Sequence, residues 1–242
     1  MTTFVLIHGA WSGANGFRHV RRIFQTAGHQ IYTPSLTGIG ERSHLASPMV
    51  NLTMHVRDVV NHVLYEDLRN ITLVGFSYGG FVVAGALEHV ADRVDHLVFL
   101  DAFVPANGET VLGHIGRGGR APAQLGASWQ IPPTERQFDD PEEAAWMSVR
   151  RGPQPLGCFT EPVYLAQPLE DFAFSRTYIK ATRDPASDPG AQAFWRAAER
   201  AKASSAWRYR EIDTTHMVAS NRPDELAAML VDVADGAPPS AA

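Results

Sequence analysis

A chain of 242 residues, 45% hydrophobic and 10% aromatic, is long enough to bury a full core as one domain. Its formal charge of -5 supplies no polycationic surface, which argues against nucleic acid and anionic membrane as partners. The single cysteine, Cys158, excludes an intramolecular disulfide and reads as a small buried apolar residue. No cationic segment leads into a signal-length apolar run and no stretch approaches a membrane span, so a cytoplasmic protein is expected. The local basic clusters, Arg18/Arg21/Arg22 and Arg150/Arg151, read as solvated helix faces.

The first apolar run, residues 3–8, precedes Phe17, Val20, Phe24 and Ala27 at helical spacing, and Gly28 stands where a left-handed C-terminal cap belongs. After a second run at 29–33, Leu52, Val56, Val59, Val60 and Val63 mark another helix behind Asn51 or Thr53 as N-cap. A third run, 71–76, ends in Gly75-Phe76-Ser77-Tyr78-Gly79 and passes directly into the helix-compatible Phe81-Val82-Val83-Ala84. Runs at 96–100, 176–182 and 207–212 follow. The last helix starts near Pro223 and turns Leu226, Met229, Leu230 and Val233 inward, and a small, Pro-containing tail at 234–242 reads as frayed. This alternation predicts an α/β fold, a mostly parallel sheet of about six strands flanked by helices.

Residues 105–174 break the rhythm. They are rich in proline, including Pro122, Pro132, Pro133, Pro153 and Pro155; Gly113 to Arg120 reads as mobile, and only 141–151 offers a helix. Trp129, Phe138, Trp146, Phe159 and Tyr164 are too many aromatics for a disordered linker. The domain reading is a core formed by 1–104 and 175–242, with a small cap, 105–174, inserted after the strand that leads to Asp101.

The chemistry centres on Ser77. A serine on a tight strand-to-helix turn takes a strained backbone, and Gly75 and Gly79 remove the Cβ atoms that would clash there. A neutral hydroxyl is a poor nucleophile, so it needs a base and a carboxylate to orient that base, in the chain order serine, acid, histidine. Of the later histidines, His96 opens a strand at the wrong end and His114 sits in the cap, whereas His216 follows the last predicted strand. Asp184, ending the run at 176–182, is the preferred acid; Asp101, ending the preceding strand, is its rival or shapes the pocket floor. Asp213 reads as fixing its own loop. Two backbone N–H groups for an oxyanion hole are expected from Tyr78, directly after the nucleophile, and from Ala10 in the His8-Gly9-Ala10-Trp11 turn, with His8 ordering that turn. No metal or cofactor is called for.

With these residues assembled, the whole chain resembles the α/β-hydrolase superfamily, and more closely the group of plant methyl-salicylate-type esterases, hydroxynitrile lyases and bacterial EstC-like and pyrethroid-hydrolase-like esterases. The resemblance rests on Phe4-Val5-Leu6-Ile7-His8-Gly9-Ala10-Trp11, Thr37-Gly38-Ile39-Gly40-Glu41-Arg42, the Ser77 turn, Leu100-Asp101-Ala102-Phe103-Val104-Pro105 and Thr215-His216-Met217. It implies a triad of Ser77, Asp184 and His216, oxyanion donors at Ala10 and Tyr78, and pocket walls at Trp11, Phe103 and Trp129. Lyases of this group resemble one another in carrying a hydroxyl or amide residue after the first-strand histidine, and one branch carries lysine after the catalytic histidine. Gly9 and Met217 stand there in this chain and imply an esterase. The expectation is a serine carboxylesterase for a small to medium hydrophobic ester, against the alternatives of a cyanohydrin-cleaving lyase or a non-catalytic ligand-binding protein on the same scaffold. A homodimer is left open.

Overall fold

Short strands buried on both faces set the architecture. A computed structural model of the chain describes residues 1–116 and 128–236; positions 117–120 of the glycine-arginine stretch, Pro122 and the tail from 237 onward lie outside the described residues. Strands β1 (Thr3–Ile7), β2 (Gln30–Tyr32), β3 (Ile71–Phe76), β4 (Val94–Leu100), β7 (Ser175–Ala181) and β8 (Arg208–Ile212) form one sheet in the order β2-β1-β3-β4-β7-β8, every neighbouring pair parallel. Phe4, Leu6, Val74, Val98 and Ile179 project to one face, where α1 (Arg18–Thr26) and α9 (Pro223–Asp235) cover them with Val20, Phe24, Leu226 and Leu230. Val5, Ile7, Leu73, Leu97 and Tyr178 project to the other, beneath α2 (Leu52–Tyr65), α3 (Gly79–Val90) and α7 (Gln192–Ala203). Burial on both faces is what a parallel sheet requires.

The helix boundaries have local causes. Gly28 takes φ 79° and returns its N–H to the Gln25 carbonyl, closing α1. Between the two candidates for the α2 cap, it is the Asn51 side chain that accepts the Met54 N–H, at 3.0 Å.

Between β4 and β7 the chain forms α4 (Val111–His114), a two-stranded antiparallel pair of β5 (Gln130–Ile131) and β6 (Gln154–Pro155), α5 (Pro141–Ser148) and α6 (Gly157–Thr160). Of the basic residues expected on solvated helix faces, Arg22 is exposed on α1 and Arg21 half-buried there, whereas α5 ends at Ser148, short of Arg150 and Arg151. Arg150 lies over the Trp146 ring, Arg151 is half-buried beyond the helix, and Arg18 is ion-paired with the buried Glu143. The short helix α8 (Val218–Asn221) links β8 to α9. Among the described residues no helix is long and apolar enough to cross a membrane.

Candidate active site

Ser77 leaves β3 with φ 55°, a left-handed conformation that costs an L-residue roughly 1–2 kcal/mol. Its flanking glycines make the turn feasible. A Cβ on Gly75 would stand 2.7 Å from Val83 Cγ2, and one on Gly79 would stand 2.5 Å from the Ile7 carbonyl oxygen. The Ser77 N–H donates to Leu100 O at 3.2 Å, and the Phe103 N–H donates to Ser77 O at 3.2 Å, so the turn is laced to the end of the neighbouring strand β4.

His216 arrives from the loop between β8 and α8. The Arg183 N–H donates to Thr214 O at 2.9 Å, and the Thr215 hydroxyl donates to Gln137 O at 2.9 Å. The imidazole lies between Phe194, stacked at 4.8 Å, and Phe76 at 4.7 Å. Its Nε2 is 2.9 Å from Ser77 Oγ and its Nδ1 is 2.6 Å from Asp101 Oδ2. An ionised carboxylate only accepts, so the network assigns the proton to Nδ1 and leaves Nε2 as the acceptor for the serine hydroxyl. Ser77 and His216 are 6% and 4% exposed, a water-poor setting in which such bonds are strong.

The carboxylate on Nδ1 therefore differs from the one expected. Asp184 Oδ2 instead accepts the backbone N–H of His216 at 2.8 Å, holding the loop rather than the ring. The physical reason lies in the sheet edge. Asp101 follows β4 directly with φ 40° and donates its own N–H to Ile179 O at 2.7 Å, which fixes it on the strand next to the nucleophile's. Asp184 stands three positions beyond the end of β7.

Lys180, fully buried, donates through Nζ to Asp101 Oδ1 at 2.7 Å and to the Ala181 carbonyl, and its ammonium faces the Trp195 ring at 4.4 Å. Burial alone would push the Asp101 carboxyl up; the hydrogen bonds and charges of His216 and Lys180 outweigh it and hold the group below its ordinary value. His216 is held below its ordinary value by burial first and by the Arg136 charge second, against the pull of Asp101 and Asp184. Sequence reasoning missed Lys180, Phe194 and Arg136. A lysine alternating within a strand reads as solvent-facing, and the other two positions depend on how distant segments pack.

The first-strand turn comes close to Ser77: a Cβ on Gly9 would stand 3.0 Å from Ser77 Cβ. His8 Nδ1–H donates to Gly9 O at 2.9 Å while its Nε2 accepts the Leu36 N–H at 3.1 Å, so this histidine orders the turn as a neutral ring. Trp11, at φ 61°, gives its backbone N–H to Gln154 Oε1 at 3.1 Å and its indole N–H to Ile131 O at 3.0 Å, which ties the turn to β5 and β6. Tyr78 is the N-cap of α3, where backbone N–H groups have no intrahelical acceptor. Its buried hydroxyl meets His55 Nδ1 at 2.9 Å, and His55 Nε2 meets Thr37 O at 2.8 Å. Since the carbonyl only accepts, Nε2 carries the proton and Nδ1 receives the phenol's; burial lowers the His55 pKa to about 3.

Of the other residues singled out, Phe103 is buried against Phe81 and Phe194, Met217 is buried beside His216, and half-buried Trp129 accepts the Leu156 N–H through its carbonyl. His96 bonds Ser175 at the opposite end of the sheet from Ser77, His114 bonds Glu109, and Asp213 pairs with Arg183. Cys158 is buried, which pushes its thiol up to about 12. Among the described residues no group of three or more His, Cys, Asp or Glu side chains is disposed to hold a metal ion.

The fold and this serine-centred sheet edge define a hydrolase architecture. Residues 4–229 match the family model described as alpha/beta hydrolase family, and the chain belongs to that family, in the group that includes methylesterases and hydroxynitrile lyases. It is 31% identical over 246 residues to a carbendazim hydrolyzing esterase of Nocardioides sp. (strain SG-4G), covering 95% of this chain and 98% of that one. It is also 31% identical over 108 residues to an alpha-hydroxynitrile lyase of Arabidopsis thaliana, covering 42% of this chain and 40% of the lyase. The solved structure of an extracellular alpha/beta-hydrolase from a Paenibacillus species superposes with TM-score 0.78 at 21% identity, covering 98% of this chain and all of that one, which shows the shared fold.

Proposed function

We propose that the protein is a serine carboxylic ester hydrolase working through an acyl-enzyme on a small to medium hydrophobic ester, with 105–174 acting as its cap. One observation carries this reading: the continuous relay from Ser77 Oγ through His216 to Asp101, with contacts of 2.9 and 2.6 Å. In the first step Ser77 Oγ attacks the ester carbonyl as Nε2 takes its proton, and Asp101 stabilises the imidazolium. The Ala10 and Tyr78 N–H groups receive the oxyanion. Collapse of the adduct breaks the carbonyl–alkoxy bond, and the imidazolium protonates the departing alcohol. Water then repeats the sequence on the acyl-enzyme, releasing the acid and restoring Ser77. Lys180 holds Asp101, and Asp184 holds the His216 backbone.

The similarity to an esterase along nearly the whole chain supports hydrolysis. The similarity to a hydroxynitrile lyase keeps cyanohydrin cleavage as the rival, but a side chain at Gly9 would crowd Ser77 and Phe76, at 3.0 and 3.2 Å from its Cβ, and Met217 offers cyanide no charge. The test is a burst of p-nitrophenol from a p-nitrophenyl ester together with fluorophosphonate labelling mapped to Ser77 by mass spectrometry. Cyanide release from mandelonitrile exceeding ester turnover would replace this reading with the lyase, and binding without turnover would replace it with a carrier.

A further inference from the structure

Lys180 stands where a strand buried on both faces ordinarily carries an apolar side chain, and it is fully buried. Three electron-rich partners surround its ammonium: Asp101 Oδ1 at 2.7 Å, the Ala181 carbonyl, and the Trp195 ring at 4.4 Å. A carboxylate and a carbonyl only accept, and a ring face attracts a cation, so the surroundings suit the charged form of the lysine. Trp195 is held in turn. Its indole N–H donates to Asp184 O at 2.8 Å, and Asp184 Oδ2 accepts the His216 N–H, so α7 braces both the lysine and the support of the His216 loop.

Asp101 divides its two oxygens. Oδ2 accepts from His216 Nδ1 at 2.6 Å, while Oδ1 accepts from Lys180 and, at 3.4 Å, from the Ala181 N–H. Glu211 stands beside Lys180 in the register of β7 and β8, but it is exposed and engaged by Lys202 and Tyr209. The charged groups acting on His216 are Asp101, Asp184 and Arg136.

Stability does not account for a lysine at this position. Taking an ammonium and a carboxylate out of water is expensive, and an apolar side chain of similar length would fill the space without that cost. What the ammonium supplies is a positive charge on the other oxygen of the carboxylate that His216 uses. A buried carboxylate and a neutral imidazole in contact take up one proton as a pair, and a neighbouring positive charge opposes that uptake whichever of the two receives it.

We propose that Lys180 is a positioning residue: it fixes Asp101 as the ionised partner of His216 and restrains proton uptake by the pair, so that the base beside Ser77 stays neutral into more acidic solution. The consequence for turnover rests on the reading of the site as an ester hydrolase. Lys180 itself touches no reacting atom and acts through Asp101.

Two measurements on the full chain test this: the pH dependence of kcat/KM for p-nitrophenyl butyrate, and the NMR titration of His216 in protein labelled at histidine Cε1. The His216 signal is the one missing from His216→Gln. In Lys180→Met the acid limb and the His216 titration should both move to higher pH by roughly 1–2 units, the effect of removing a close charge from a buried site. Lys180→Arg keeps the charge and should stay near the wild type. A structural lysine would lower kcat or stability and leave both midpoints in place. Unmoved or lowered midpoints in Lys180→Met overturn the proposal, as does an equal displacement in Lys180→Arg.

If Lys180→Met does not fold, Asp101→Asn/Lys180→Met removes both buried charges together and takes its place. His216 should then titrate at higher pH than in Asp101→Asn alone, and equal titration overturns the proposal. If the wild type turns over no ester and Ser77 escapes fluorophosphonate labelling, the ester-hydrolase reading falls, while the NMR titrations still decide what Lys180 does to the pair.

Discussion

Asp101 meets His216 at 2.6 Å from the end of the strand beside the nucleophile's own. In the proposed mechanism that contact sets which carboxylate matters most to the chemistry. Asp101→Asn leaves the shape and reverses the hydrogen-bond demand at Nδ1, which favours the wrong tautomer, so kcat on a p-nitrophenyl ester should fall by about 10⁴. Asp184→Asn keeps an oxygen able to accept the His216 N–H, and should lose less than about tenfold. Steady-state kinetics on the two purified variants decide this, and exchanged phenotypes would return the acid role to Asp184.

The strained Ser77 backbone makes a separate prediction about stability. Ser77→Ala and Ser77→Gly both remove the hydroxyl and should both abolish turnover, but only glycine occupies φ 55° without steric cost. The glycine variant should be more stable than the alanine variant by about 1 kcal/mol, net of the extra freedom glycine gives the unfolded chain. Urea unfolding of the pair measures it. Equal midpoints and slopes would mean that the turn stores no such strain.

How far the sequence reaches is seen at particular positions. All six strands of the main sheet are legible to within two residues, because the four inner ones are short apolar runs buried on both faces, while β2 and β8, only partly buried at the edges, are marked by the turn residues that bound them. Ser77 and His216 are legible too, one through its glycine-flanked turn and the other through its place after the final strand, and their side chains meet at 2.9 Å. The acid is harder, since Asp101 and Asp184 both follow C-terminal ends of adjacent parallel strands. What separates them is the φ of 40° at Asp101 and a buried ammonium from Lys180, neither of which leaves a mark in local composition. Arg136 and Phe194 reach the site only through contacts between segments far apart in sequence, so periodicity carries no signal for them.

Tyr78 separates backbone from side chain. If its contribution to catalysis is the N–H, Tyr78→Phe should keep kcat within a few-fold of wild type. Losing the phenol leaves the buried His55 Nδ1 without its donor, which should cost about 1–3 kcal/mol of stability. Kinetics and denaturant unfolding on the same preparation test both halves; a collapse in kcat with unchanged stability would make the hydroxyl itself the functional group.

The pH profile should carry the signature of the His216 surroundings. The groups facing it are Asp101, Asp184 and Arg136, with Lys180 on the far side of Asp101. In the proposed mechanism the base works only when neutral, and the His216 pKa is lowered, so the acid limb of kcat/KM should lie below pH 6.5, the ordinary histidine value. Arg136→Gln removes a positive neighbour, favours the imidazolium and should move that limb to higher pH. Asp101→Asn removes a negative partner and should move what activity remains the other way. A limb that shifts downward in Arg136→Gln would contradict the electrostatic account.

The lacing of Ser77 to the Leu100–Phe103 segment by two backbone hydrogen bonds reaches into how such a protein can change over generations. The separation between Ser77 and Asp101 is inherited from the spacing of adjacent strands, about 4.8 Å, rather than from the length of any connection. With that pair carried by the sheet, the stretch after β7 is relieved of holding the histidine ring and need only support the loop that delivers it. Insertions and exchanges there can reshape the rim of the pocket while the two groups on the sheet keep their distance, so new substrates become accessible without rebuilding the chemistry.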